Sequence, residues 1–387
     1  MASRLIEHPD ELLPDTTWRE TVWAWTPEEA LIDHTTKARL CSAALLPFRD
    51  GQPDWDGFTA SLRWMFAAAE RYGVELVPVL NADTGYIFEL NETLYAEVLW
   101  RFRDAFPGQP IVAGITARGA ERDSVFQPER YLPLLDIVQQ HERCEVMIMT
   151  SRGLNSLDPQ RRRDAYYRIA EWLVRPGIVH ALEPSFVPWA TPFEPWLLWQ
   201  LASHPKFVGG KISTLDEPHF LYWAAMIRSL QLDFLPHSGD DFGIATAIKL
   251  GLPLLIGAAS SAAPLICAAK DMWLAEGAPG KRFSGLDGVE SSAPGAVRFD
   301  TRVYKLFEAF QSLEDQVFRL DARGSASAYR HSTAHVLRAL GVIASSETHP
   351  DCRDQRGTDE AARMEEALRR PRRVAERLGI PWGEGRT

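Results

Sequence analysis

The chain has 387 residues, 45% hydrophobic and 24% charged, which describes a globular chain with length for two domains or one large α/β barrel. The formal charge of −10 argues against bulk attraction to nucleic acid or to an anionic membrane surface. No run of about 18 apolar residues is present to span a bilayer.

Residues 1–37 precede the first apolar run and read as an N-terminal extension. Its opening, MASRLIEHPDELLPD, is acidic and lacks the apolar stretch of a signal peptide, so a cytoplasmic location is expected. From residue 38 to 278 short apolar runs alternate with amphipathic stretches. The runs are 39–47 (RLCSAALLP), 74–80 (VELVPVL), 110–115 (PIVAGI), 144–150 (CEVMIMT), 177–182 (GIVHAL), 206–212 (KFVGGKI), 232–236 (LDFLP) and 252–258 (LPLLIGA). Each is nearly continuous in hydrophobicity, as strands buried on both faces are.

Helical patterns separate them, at 56–72, 91–106, 128–141, 158–174, 194–203, 217–230, 242–250 and 263–276. Several open with Asp, Asn or Pro, the residues that start helices. Eight strand–helix units predict a closed (β/α)8 TIM barrel over 38–278. No GxGxxG or GxxxxGK[ST] phosphate loop supports an open nucleotide-binding sheet. Residues 279–299 read as a loop rich in Gly, Ser and Pro, and 300–320, 327–343 and 358–378 as three helices appended to the barrel. The segment 279–387 is thus a C-terminal loop and helical region.

Cys41, Cys144, Cys267 and Cys352 lie far apart with no CxxC pair, which argues against a disulfide framework or a structural zinc. The first three sit in apolar runs and read as small buried residues. Of the 42 basic residues only seven are lysine: Lys37, Lys206, Lys211, Lys249, Lys270, Lys281 and Lys305. A barrel keeps its chemistry at the C-terminal ends of its strands. Among the lysines Lys211, in FVGGKIST, stands at such an end. The two preceding glycines are expected to leave room around it. Desolvation inside a barrel lowers a lysine's pKa, and the neutral amine can attack a ketone to form a Schiff base. The protonated imine is then an electron sink for aldol, dehydration or decarboxylation chemistry.

The resemblance is carried by several stretches in order. LLPFRDGQPDWDGFTASLRWMF resembles the first strand, turn and helix of the dihydrodipicolinate synthase / N-acetylneuraminate lyase family. ADTGYIFEL occupies the place of that family's GTTGE-type loop, and AGITARGA that of its third strand. FVGGKIST is similar to its GxK strand, and HSGDDFGIATAIKLGLPLLIGAASSAAP to its SGDD…GxxGxIS…P stretch. The resemblance implies a class I aldolase-type barrel with the imine-forming lysine at Lys211. It also implies a pyruvate-like 2-oxo acid substrate, no cofactor or metal, and a homodimer or homotetramer. No nucleic-acid or membrane partner is expected.

The departures are as informative. The carboxylate-binding loop keeps Thr84 and Gly85 but has Tyr86 where the family has Glu. The family's catalytic tyrosine at the end of strand four is missing from MTSRGLN, and its YN at strand five reads LEP. The lysine-pathway synthase is therefore not the expected identity; a divergent lyase, dehydratase or aldolase is. Tyr86 and Glu183 are the candidates to move protons. Thr84, Gly85, Arg152, Ser238 and Asp240 are the candidates to bind substrate, Arg152 by a bidentate grip on a carboxylate. Arg118 is a weaker candidate for that grip. Asp241 is expected to cap the seventh helix. A metal held by His237, Glu183 and Asp240 is an alternative without a tight ligand motif behind it. A barrel that binds a metabolite without turning it over is another. The proline-rich stretch after strand five, with Trp189 and Trp196, reads as an interface or as an aromatic wall over the pocket.

Overall fold

A computed structural model describes residues 39–117, 126–229, 233–257, 259–275 and 301–383. The N-terminal extension, the 279–299 loop and Arg118 lie outside the described residues. Eight strands close into a barrel: β1 (Leu40–Ala43), β2 (Leu76–Leu80), β3 (Ile111–Ile115), β4 (Cys144–Ile148), β5 (Gly177–Leu182), β6 (Phe207–Ser213), β7 (Leu235–Ser238) and β8 (Leu254–Ile256). Every neighbouring pair is parallel, and Leu40 closes the ring by pairing with both Leu76 and Leu254. All residues of β1, β2, β3, β5 and β8 are buried, which is why their sequences run apolar without alternation. Cys41, Cys144 and Cys267 are buried free thiols.

Helices α1 (Trp55–Arg71), α2 (Glu92–Ala105), α3 (Leu132–Gln139), α4 (Pro159–Glu171), α5 (Pro195–Ala202), α6 (Glu217–Ser229), α7 (Ile244–Lys249) and α8 (Ala259–Ala275) connect the strands and follow β8. Side-chain caps fix several starts: Asn91 accepts from the Leu94 N–H at 2.8 Å and Asp158 from the Arg161 N–H at 2.9 Å. At α1 the cap is Asp54 rather than Asp56, which sits in the first turn. Its neighbour must be small, because a Cβ on Gly57 would lie 2.7 Å from the Asp54 carboxylate. The expected single helix over 128–141 is divided into a 3₁₀ turn, Pro128–Tyr131, and α3. Pro133 has no N–H to continue the ladder across that point.

Three further helices follow, α9 (Thr301–Val317), α10 (Tyr329–Ala339) and α11 (Glu360–Leu378). They are tied to the barrel mouth by more than apolar packing. The Ala326 N–H donates to the Ser185 carbonyl at 2.7 Å, and Phe48 bridges to Glu347. The first turn of α10 is itself buried: Tyr329, Arg330, Ser332 and Thr333 are inside. Among the described residues no helix is long and apolar enough to cross a membrane.

Candidate active site

Lys211 lies on β6 in register with His180 of β5 and His237 of β7, so the three side chains share one face of the sheet. Lys211 is 6% exposed. Burial lowers its pKa, opposed by the negative charges of Asp241 and Asp83. A larger fraction of its amine is therefore neutral near pH 7 than for a lysine in water. The preceding glycines serve a purpose other than the expected one. A Cβ on Gly210 would lie 2.8 Å from the Phe234 ring, and one on Gly209 would lie 2.9 Å from the Leu235 carbonyl and 3.1 Å from the His237 imidazole. They let β7 approach β6; they do not clear space for the lysine.

Lys211 opens into a small cleft of about 10 Å³, room for about one water molecule. Asp83, Thr84, Ser213, Asp241 and Tyr329 supply its polar lining, and Leu182, Phe186, Phe318 and Gly257 the rest. Ser213 hydrogen-bonds the His180 Nε2 at 2.8 Å. His180 is fully buried beside Lys211, and burial first, then that cation, pushes its pKa well down, so it is neutral.

Tyr329 comes from the C-terminal helical region. Its hydroxyl donates to the Asp83 carboxylate at 2.8 Å and meets the Thr84 hydroxyl at 2.9 Å. The tyrosine's single proton is committed to Asp83, so the Thr84 O–H donates to Tyr329. Burial, and then the charge of Asp83, push the Tyr329 pKa well above its usual value and keep the phenol protonated. Stacking on Phe318 with ring centroids 4.6 Å apart, and an edge contact with Phe186 at 6.3 Å, fix the ring.

The structure gathers some expected site residues and disperses others. Lys211 and Thr84 line the cleft. Gly85 lies in the same turn, and a Cβ there would approach the Asn81 N–H nitrogen to 3.1 Å and the Ala44 carbonyl to 3.3 Å, so its smallness serves backbone packing. Tyr86 is outside the cleft lining. It packs against Phe48 at 5.7 Å and His349 at 5.8 Å, with the Arg330 guanidinium 5.0 Å from its ring centroid. Its backbone is left-handed, at φ 63°. Arg152 is exposed at the start of a single helical turn, Arg152–Asn155, and does not line the cleft. Ser238 is buried and accepts from the Asp240 N–H at 3.3 Å.

Glu183 pairs at 2.8 Å with His219 of α6 beside the cleft-lining Leu182. The expected capping of α7 by Asp241 is not seen: the helix starts after Gly243 with no side-chain cap. Asp240 accepts from the Phe242 N–H at 2.9 Å at the entrance to α7, whereas Asp241 lines the cleft. Burial raises the Asp240 pKa to about 7. His237 points its Nδ1 at the Leu235 carbonyl, 3.0 Å away. Among the described residues no three metal-ligating side chains gather to hold a cation.

The residues that sequence reasoning passed over as site members are Tyr329, Asp83, Ser213, Asp241 and the aromatic pair Phe186 and Phe318. Asp83, Ser213 and Asp241 stand at strand ends and carry the signal of position. Phe186 lies in the proline-rich stretch after β5. That stretch packs within the chain: Trp189 meets Phe88 edge-on at 5.6 Å, and Phe193 stacks on Trp223 at 6.1 Å. Behind Asp241, Glu314 of α9 is fully buried with no hydrogen-bond partner for either carboxylate oxygen. Burial, and then Asp241, raise its pKa well above the usual carboxylate range.

No protein-family model matches this chain, and no curated protein is significantly similar to it. Solved structures are similar in fold. A dihydrodipicolinate synthase variant described as the first monomeric one aligns with a TM-score of 0.67 at 14% identity, over 88% of this chain and 98% of that one. The dihydrodipicolinate synthase of Thermotoga maritima gives 0.65 at 15% identity, over 86% and 97%. YagE, a prophage protein of Escherichia coli K12 described as belonging to the dihydrodipicolinic acid synthase family and crystallised with pyruvate, gives 0.66 at 13%, over 86% and 98%. The chain therefore has the (β/α)8 architecture of these structures, with the helical C-terminal region included in the alignment.

Proposed function

We propose that the protein is a divergent member of the dihydrodipicolinate synthase / N-acetylneuraminate lyase family. In this reading it is a lyase that forms a Schiff base between Lys211 and the carbonyl carbon of a 2-oxo acid such as pyruvate. The observation that carries the reading is the buried Lys211 at the C-terminal end of β6, opening into a small cleft of hydroxyls and carboxylates. The neutral amine adds to the ketone, and the carbinolamine loses water to give an iminium ion. That cation accepts the electron pair released when a bond to the neighbouring carbon breaks, either a C–C bond in aldol cleavage or a C–H bond on the way to an enamine.

The MTSRGLN end of β4 has no tyrosine, which favours a reaction other than the lysine-pathway synthase's. The reading includes a cytoplasmic dimer or tetramer working without a cofactor. Borohydride reduction in the presence of pyruvate or 2-oxobutanoate, followed by peptide mass mapping, tests it. The expected result is a reduced adduct on the peptide containing Lys211. No adduct with any 2-oxo acid, together with an active Lys211→Ala variant, rejects the reading. Ligand-induced thermal stabilisation without an adduct or turnover would instead support a non-catalytic binding barrel.

A further inference from the structure

We infer that Tyr329, delivered to the barrel mouth by the C-terminal helical region, is the proton carrier of the Lys211 reaction, with Thr84 as its partner toward the substrate and Asp83 as the terminal base. The inference rests on the Schiff-base reading and adds to it the residues that move the proton.

Three observations converge. Tyr329, Thr84 and Asp83 line the same cleft as Lys211. The hydrogen bonds at 2.9 and 2.8 Å run in one direction, from the Thr84 hydroxyl through the Tyr329 hydroxyl to the Asp83 carboxylate. Finally, the Tyr329 hydroxyl is inserted from 245 residues away and held by independent contacts. The Phe318 ring stacks on it, and the next residue, Arg330, reaches the Asp83 carbonyl at 3.4 Å and Glu89 at 3.1 Å. A tyrosine serving only to fill the mouth needs the ring and not this alignment of its hydroxyl.

The proton balance is complete within the chain. In the iminium ion the C–H bond on the carbon next to the imine breaks, and its electron pair becomes the C=C bond of the enamine while the nitrogen accepts the former C=N pair. The proton goes to Thr84 Oγ, the Thr84 proton to the Tyr329 oxygen, and the Tyr329 proton to Asp83. The two hydroxyls end neutral with their bonds reversed, and Asp83 ends as the carboxylic acid. Run backwards, the same wire returns the proton to the enamine carbon. No oxidant or co-reactant is required. Thr84's acceptor lone pairs are the end of the wire that faces the substrate.

The test separates carbon acidity from imine formation. The probe is pyruvate in D2O, with methyl hydrogen–deuterium exchange followed by proton NMR and borohydride trapping run on the same samples. Tyr329→Phe keeps the ring and its stacking on Phe318 and removes the hydroxyl. It is expected to be trapped at Lys211 and to exchange at least about 100-fold more slowly than the unmodified protein, the usual size of a positioned acid–base group. Asp83→Asn and Thr84→Val are expected to show the same separation, which decides the matter should Tyr329→Phe fold poorly. Tyr167→Phe, on the outer helix α4 where its hydroxyl bonds the Gln200 carbonyl, is expected to exchange at the unmodified rate. Exchange at the unmodified rate in folded Tyr329→Phe overturns the relay and leaves the Schiff-base reading standing. Absence of any adduct in the unmodified protein removes the reading and this inference together.

Discussion

Arg330 on α10 and Glu89 in the loop after β2 form an ion pair at 3.1 Å, although 241 residues separate them in the chain. The arginine side chain is 5% exposed and the glutamate 16%. The same guanidinium reaches the Asp83 carbonyl and lies over the Tyr86 ring, so one side chain clamps the whole loop that presents Thr84. Burial raises the Glu89 pKa and Arg330 opposes that rise. Removing one partner of such a pair leaves a buried charge unpaired. Arg330→Met is therefore expected to lose roughly 3–5 kcal/mol in urea unfolding. The double variant Arg330→Met with Glu89→Gln should recover part of it. A loss below about 1 kcal/mol would show that water solvates Glu89 once the guanidinium is gone.

Gly209 is fixed by backbone rather than by Lys211, two residues on. The Cβ of an alanine there would meet the Leu235 carbonyl at 2.9 Å, and a strand carbonyl cannot step aside. Gly209→Ala should cost about 1–3 kcal/mol through displacement of β7. A variant of unchanged stability would mean that β6 and β7 can separate at no cost.

The barrel was legible because burial on both faces leaves long apolar runs; six of the eight runs contain their strands, and the runs at 206–212 and 232–236 overlap theirs. The C-terminal helices were legible from their own periodicity. The site was legible only where position along a strand decides it, as for Lys211. Tyr329 carries no such signal: SASAYRH marks a helix start, and only the folded path across the mouth brings its hydroxyl to Thr84. That Asp241 and not Asp240 lines the cleft was beyond the sequence for a local reason. Two adjacent acids differ by one step of backbone, and the turn from β7 into α7 decides which one faces the cleft.

Asp240 makes the molecule's stability depend on pH in a direction opposite to that of a salt-bridged carboxylate. Its folded pKa of about 7 lies above the 3.8 of an unhindered aspartate, so the folded state binds its proton more tightly than the unfolded chain. The favourable contribution is complete below about pH 4 and is lost as pH rises through 7. The shift corresponds to at most about 4 kcal/mol. Asp240→Asn keeps an oxygen for the Phe242 N–H and removes the titration. In urea unfolding at pH 5 and pH 8, the variant should gain on the unmodified protein at pH 8 relative to pH 5. Equal differences at the two pH values would mean that water reaches the carboxylate and restores its usual pKa.

Asp241 and Lys211 are coupled through the cleft, and the coupling gives the proposed imine chemistry an expected pH dependence. Burial lowers the lysine pKa, while Asp241 and Asp83 hold it up by stabilising the ammonium. Trapping with pyruvate should rise with pH as the amine loses its proton, with a midpoint below the 10.5 of a lysine in water. Asp241→Asn removes one of the two opposing charges and leaves the burial. The lysine then has less to keep it protonated, so the midpoint should move to lower pH and trapping at pH 6.5 should become faster. Glu314, protonated behind Asp241, adds no charge of its own and should leave that direction unchanged on substitution by Gln. Initial trapping rates from pH 5.5 to 9 in the two variants measure both effects. A midpoint that rises in Asp241→Asn would show that the aspartate's hydrogen bonding, rather than its charge, governs the lysine.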